Sequence, residues 1–179
     1  MRLFIAAPIS DNIKKRLADM ILPVKQKISQ IKWVKADNFH FTLLFLGETS
    51  ESLIDPVNDR LKQVAGLFKS FSVEIMDFSC FPSLKRPRVL FLSVMNGREI
   101  LINLAESVRQ KLNELGFVEN KDFKPHLTVG RIKPYHKINL ENIDFNCDPV
   151  LIKIDQIQLI QSTLKPEGPV YSIIERFIF

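Results

Sequence analysis

The chain has 179 residues, enough for one well-buried core or two small lobes and too few for a multidomain enzyme. Hydrophobic residues make up 46% and charged residues 25%, ordinary globular usage that excludes the disordered and fibrous classes. Lys+Arg 25 against Asp+Glu 20 leaves a net charge of +5 and a pI near 9.2, a mild basic surplus compatible with a polyanionic ligand.

In chain order, residues 2–7 predict a short buried strand. The opening MRLFIAAPIS carries one Arg and runs into a charged amphipathic segment, so it does not have the form of a signal peptide. Residues 11–29 predict a helix capped by Ser10, with Ile13, Leu17, Met20, Ile21, Val24 and Ile28 on one face and a bend at Pro23. Strands are expected at 39–46 and 71–79, with a helix over 51–68 between them that buries Leu53 or Ile54, Val57, Leu61, Val64 and Phe68. Residues 88–95 predict another buried strand. The helix at 98–115 is capped by Asn96, carries a stripe of Ile100, Leu101, Leu104, Val108, Leu112 and Leu115, and stops at Gly116. Strands at 124–132, 150–162 and 170–179 complete the chain, with basic, Pro-rich loops at 82–87 (PSLKRP) and 165–169 (KPEGP).

Several chemistries lack their usual motifs: there is no Walker A, no G-x-G-x-x-G and no G-x-S-x-G. Cys80 and Cys147 read as small buried residues of a reduced, cytoplasmic protein. His40, His126 and His136 have no acidic or cysteine companions at metal-ligand spacing, so no metal and no cofactor are expected. No apolar run approaches the roughly 18 residues of a membrane span.

The productive signal is an internal repeat. Shifted by the 86 residues that separate His40 from His126, residues 2–6 fall on 88–92 and the helix at 10–30 on 96–116, without a gap. His40-Phe41-Thr42-Leu43 then falls on His126-Leu127-Thr128-Val129. The expectation is one domain over 1–179, made of two interleaved α+β lobes. Because side chains alternate along a strand, each His shares a face with the Thr two residues on, while Phe41 and Leu127 turn to the core. Related lobes can bring both pairs to one cleft. There, two imidazoles form an acid–base pair and two hydroxyls can donate to the non-bridging oxygens of a phosphate. Arg131, five residues past His126, is a candidate fixed positive charge. Symmetry leaves open which imidazole is acid and which is base. His136 has no Thr partner and is expected to be uninvolved.

At these residues the chain resembles a known family. Trp33-Val34-Lys35-Ala36-Asp37-Asn38-Phe39-His40-Phe41-Thr42-Leu43-Leu44-Phe45-Leu46-Gly47 and Phe123-Lys124-Pro125-His126-Leu127-Thr128-Val129-Gly130-Arg131 are similar to the two signatures of the RNA 2',3'-cyclic phosphodiesterases, or 2'-5' RNA ligases, of the two-histidine (2H) phosphoesterases. Pro87-Arg88-Val89 and the tail from Gln161 to Gly168-Pro169-Val170-Tyr171 also follow that pattern. Gly130 departs from it, since the family more often has Ala before the Arg. The resemblance implies two antiparallel sheets lining a V-shaped cleft, with helices outside. It implies metal-independent hydrolysis of RNA 2',3'-cyclic phosphate ends to 2'-phosphomonoesters, with His40 as proton donor, His126 as proton acceptor, and Thr42, Thr128 and Arg131 on the phosphate. In some members it extends to 2'-5' ligation of tRNA halves.

The expected partner is RNA with cyclic phosphate ends, handled by a monomer away from membranes. Lys85, Arg86, Arg88, Lys124, Arg131 and Lys133 are candidates to rim the cleft and meet backbone phosphates. The rival readings are a 2H enzyme for a small cyclic nucleotide or ADP-ribose cyclic phosphate, a noncatalytic RNA-binding module, and a metal hydrolase, the last disfavoured because the histidines lack acidic or cysteine companions.

Overall fold

The computed structural model describes residues 1–133, 136–141 and 148–179; Cys147 lies outside them. The repeat is visible in the order of elements. β1 (Arg2–Pro8), α1 (Asp11–Lys27) and β3 (His40–Glu48) recur as β5 (Val89–Val94), α3 (Arg98–Asn113) and β6 (His126–Ile132). The same offset carries β4 (Phe71–Phe81) onto β8 (Gln156–Lys165), a correspondence the sequence pattern had not disclosed. β2 (Ile31–Trp33), α2 (Ile54–Ala65), β7 (Val150–Ile154) and β9 (Gly168–Ile178) complete the structure.

Two antiparallel sheets result, ordered β3-β1-β8-β9 and β2-β6-β5-β4-β7. In each, the His-x-Thr strand pairs with the first strand of its own lobe. β1 is apolar on both faces. Leu3, Ile5 and Ala7 join the main core, while Phe4 and Ala6 turn the other way and form a small second cluster with Ile160, against which Tyr171 packs. α1 buries Leu17, Ile21 and Val24, and α3 buries Leu101, Leu104, Ala105, Val108 and Leu112. Ile100, expected in the α3 stripe, is instead 42% exposed. Among the described residues no helix is long and apolar enough to cross a membrane.

The structure departs from the sequence reading at four places. The strand expected over 150–162 is two strands in different sheets, and Asp155 is where the chain passes from one to the other. The helix expected over 51–68 opens as a 3₁₀ turn and is α-helical over Ile54–Ala65. Gly97, rather than Asn96, caps α3. It adopts φ 73°, and a Cβ there would strike the Ser72 carbonyl oxygen. Asn96 instead donates through Nδ2 to Glu74 at 2.9 Å. Ser10 stands at the α1 cap, but its hydroxyl donates to Asn12 Oδ1 at 2.6 Å and not to the helix backbone.

Candidate active site

The first residue of β3 is His40 and the first of β6 is His126. Each ring is anchored the same way. His40 Nδ1 lies 2.7 Å from the Asn38 carbonyl oxygen, and His126 Nδ1 lies 2.6 Å from that of Lys124. A carbonyl oxygen only accepts, so both Nδ1 atoms carry hydrogen and both neutral rings keep a bare Nε2. For His40 that Nε2 accepts from the Thr42 hydroxyl at 2.9 Å; among the described residues no such bond joins Thr128 to His126.

Aromatic rings hold each imidazole in place. Phe4 and Tyr171 lie 5.1 and 5.5 Å from the His40 ring, the latter edge-on. Phe81 and Phe91 lie 5.2 and 5.4 Å from the His126 ring, both edge-on. Desolvation by these surroundings lowers His40 to about 4, the Asn38 bond opposing it, with Lys14 and His126 lowering it further. Desolvation also lowers His126, the Lys124 bond opposing it and Arg131 adding to the fall. Both rings are therefore neutral near pH 7 in the free protein, and a charge on His126 disfavours a second one on His40.

How Arg131 reaches the same cleft is a matter of register. Five residues is an odd step, which in a regular strand would turn Arg131 away from His126. Leu90 pairs with Gly130 and Phe91 with Thr128, so Val129 is the extra residue of a bulge that restores the facing. β3 has the matching bulge: Ile5 pairs with Leu44 and Ala6 with Thr42, leaving Leu43 as the extra residue. The second residue past each extra one is exposed and lies on the groove wall, Arg131 in one lobe and Phe45 in the other.

The groove encloses about 590 Å³. His40, Thr42, Thr128 and Arg131 lie on its wall, together with β2 and the tight β8–β9 hairpin that includes Glu167 to Tyr171. His126 is not a wall residue, although Thr128 and Arg131 of its own strand are. Asn38 ties the hairpin down, Nδ2 donating to the Pro169 carbonyl oxygen at 3.3 Å. Phe41 and Leu127 are fully buried, as expected. His136 is exposed and off the wall. Cys80 is buried, and desolvation raises its thiol to about 11. Among the described residues no group of three His, Cys, Asp or Glu side chains is placed to hold a metal ion.

Of the expected basic rim, Arg131 alone lies on the groove wall. Lys85 pairs with Glu141 at 3.7 Å, Lys124 sits 5.9 Å over the Phe81 ring, and Lys133 donates to the Ser29 carbonyl oxygen at 2.9 Å. The wall cations that pattern reading missed are Arg2, Lys32 and Lys35. Tyr171 was missed as well, although its tail motif was visible. It packs on both Phe4 and His40, and burial pushes its phenol up while Arg131 and Arg2 draw it down.

Two lobes that each present a His-x-Thr strand to a shared groove define the two-histidine class of phosphoesterases. The family model described as LigT like Phosphoesterase matches residues 7–91 and again 92–171, one match for each half, and the chain belongs to that family. It is similar to the RNA 2',3'-cyclic phosphodiesterases of Archaeoglobus fulgidus (37% identity, 99% of each chain) and Thermotoga maritima (35% identity, 97% of this chain and 93% of the relative). Among solved structures, TT0787 of Thermus thermophilus superposes with a TM-score of 0.83 at 29% identity, over 99% of this chain and 97% of that one. The E. coli LigT complex with 3'-AMP gives 0.70 at 25% identity over the same shares.

Proposed function

We propose that the chain acts as one unit that hydrolyses 2',3'-cyclic phosphate ends of RNA to 2'-phosphomonoesters, without metal or nucleotide. The observation that carries this reading is the matched anchoring of the two imidazoles, each fixed at Nδ1 with Nε2 left as its reactive atom. The relatives named above carry the name of this activity over nearly their whole length.

The groove supports one assignment of roles. His40 lines the groove beside Phe45, whose ring is 62% exposed and offers a surface for the ribose and base. The departing 3'-oxygen belongs to that ribose, so His40 is the proton donor. Water arrives in line from the opposite side, where His126 is the acceptor. In the reaction His126 Nε2 takes a proton from water as the water oxygen bonds to phosphorus. The P–O3' bond breaks, its electron pair stays on the 3'-oxygen, and His40 Nε2 supplies the proton that completes the hydroxyl. Solvent returns both rings to their starting states.

Thr42 and Thr128 donate to the non-bridging oxygens, and Arg131 balances their charge. Binding of the anion supplies what the free protein lacks: a negative charge beside Nε2 favours the imidazolium, and Thr42 is released from His40 to serve the phosphate. Each proton that moves has a named donor and acceptor, which is why the reading needs no metal. If a 5'-hydroxyl takes the place of water, the same two transfers form a 2'-5' linkage. Incubation with an oligonucleotide ending in 2',3'-cyclic phosphate, in excess EDTA and without ATP, tests the reading. A 2'-phosphomonoester is expected; a 3'-phosphomonoester, or activity that returns only with a divalent ion, refutes it.

A further inference from the structure

The short strand β2 sets Lys32 directly opposite Arg131 of β6, in an antiparallel pair. Both side chains are exposed and both lie on the groove wall. Like charges placed directly opposite each other in a sheet repel, and among the described residues neither has a carboxylate partner. Lys35, three residues on, adds another cation to the same wall, against a single acidic wall residue, Glu167. Unpaired cations held side by side on adjacent strands of one groove wall attract anions. β2 stands one strand farther out than β6, roughly 4.8 Å, so an anion at Lys32 lies beyond the one that Thr128 and Arg131 face.

We propose that Lys32 and Lys35 form a chain-phosphate subsite, which binds the phosphodiester linking the terminal nucleotide to the rest of an RNA strand. The enzyme thereby selects strand ends over cyclic mononucleotides, which have no such phosphate. The proposal rests on the reading that a 2',3'-cyclic phosphate is the reacting group. A lysine suits this task because its ammonium is a point charge on a flexible stem and follows a backbone without reading the base.

The test is the double variant Lys32→Ala/Lys35→Ala, with Lys62→Ala/Lys69→Ala removing the same charge from exposed positions off the wall. Each is assayed on a trinucleotide ending in 2',3'-cyclic phosphate and on the cyclic mononucleotide of the same base. The groove variant should lose about twofold to thirtyfold in kcat/KM on the trinucleotide relative to the mononucleotide, two exposed ion pairs being at stake. The control should leave that ratio at its wild-type value. Equal loss on both substrates, or no loss on either, overturns the proposal.

Binding of a labelled RNA trinucleotide, followed by anisotropy against salt, gives a readout that needs no turnover. The slope of log K on log salt should shrink by about 0.7 for each phosphate contact removed. If wild type turns over neither substrate yet the groove variant alone loses this slope, the subsite stands and the cyclic phosphate reading falls. An unchanged slope overturns the subsite.

Discussion

β3 and β6 run in step for several residues. Each begins with a histidine anchored to the carbonyl oxygen two residues before it, each buries the next side chain, and each carries a threonine and then a bulge at the same place. They part just past the bulge, where β3 presents Phe45 and β6 presents Arg131. They also differ in their neighbours. β6 is covered by β2, whereas the chain equivalent to β2, at residues 117–119, forms no strand. A backbone device for aiming an imidazole has thus been duplicated, while the groove between the copies is one-sided. An apolar ring faces it from one lobe and a cation from the other. On the proposed reading, the duplication supplies the acid–base pair and the asymmetry sets the direction in which the substrate lies.

The largest effect should come from the histidines. His40→Ala and His126→Ala should each lower kcat/KM by about two to four orders of magnitude, with the folded state retained, and His136→Ala should leave it unchanged. A substrate with sulfur in place of the 3'-oxygen sharpens the comparison, because a thiolate departs without needing a proton. His40→Ala should recover most of its loss on that substrate and His126→Ala should not. The opposite pattern would exchange the two roles.

Next come the threonines. A hydrogen bond to a charged group is worth roughly 1.5–3 kcal/mol, so Thr42→Val and Thr128→Val should each cost about one to two orders of magnitude in kcat/KM. They should differ in pH dependence. The Thr42 hydroxyl donates to His40 Nε2 in the free protein, which favours the neutral ring; its removal should move the acidic limb of kcat/KM to higher pH. Thr128→Val, with no such bond to lose, should leave that limb in place. Profiles that shift together would show that the threonines are equivalent in the free protein.

Stability should follow the same asymmetry. His40 is lowered from 6.5 to about 4 by desolvation, so below pH 6.5 the unfolded chain binds a proton that the folded chain refuses. Folding stability therefore falls as pH drops from 6.5 towards about 4, and the penalty is complete once both states are protonated. His40→Gln removes this contribution, so its melting temperature should decline less than that of wild type between about pH 7 and pH 4.5, as calorimetry would show. An equal decline in both proteins would mean that His40 is not the desolvated, neutral ring described here.

Much of this arrangement was legible in the sequence because it repeats. Two His-x-Thr strands at one spacing, preceded by matching strands and helices, give the order β1, α1, β3 and its recurrence as β5, α3, β6, though not how these strands pair. What escaped was set by tertiary contact. β2 is three residues long, too short for alternation to register. Val150–Ile154 and Gln156–Lys165 read as one apolar run because nothing local marks Asp155 as the point of transfer between sheets. The bulges at Leu43 and Val129 are also invisible, since an extra residue in a strand shows only against the strand it pairs with. Arg131 could thus be named from the sequence, yet the reason it faces the groove, and the cation opposite it, could not.

The smallest effect concerns Gly130, and it tests how β2 is held on one lobe only. A Cβ at Gly130 would lie 2.5 Å from Ile31 Cγ2 and 3.6 Å from the Trp33 ring, whereas the equivalent residue in the uncovered lobe, Leu44, carries a full side chain. The glycine is therefore the room that lets β2 close against β6. Ile31 is itself buried, so Gly130→Ala forces a shift in a packed region, a change that typically costs about 1–3 kcal/mol. In a protein of this length each kcal/mol lowers Tm by roughly 2–4 °C. Leu44→Ala destabilises by a different route, leaving a cavity in the core beside β1, and should leave β2 seated. The two variants are separated by amide exchange at Val34, whose N–H donates to the Val129 carbonyl oxygen at 2.9 Å. Exchange there should quicken in Gly130→Ala and stay near its wild-type rate in Leu44→Ala under conditions where both proteins are fully folded. Unchanged protection in Gly130→Ala would mean that β2 is held by contacts other than the space this glycine leaves.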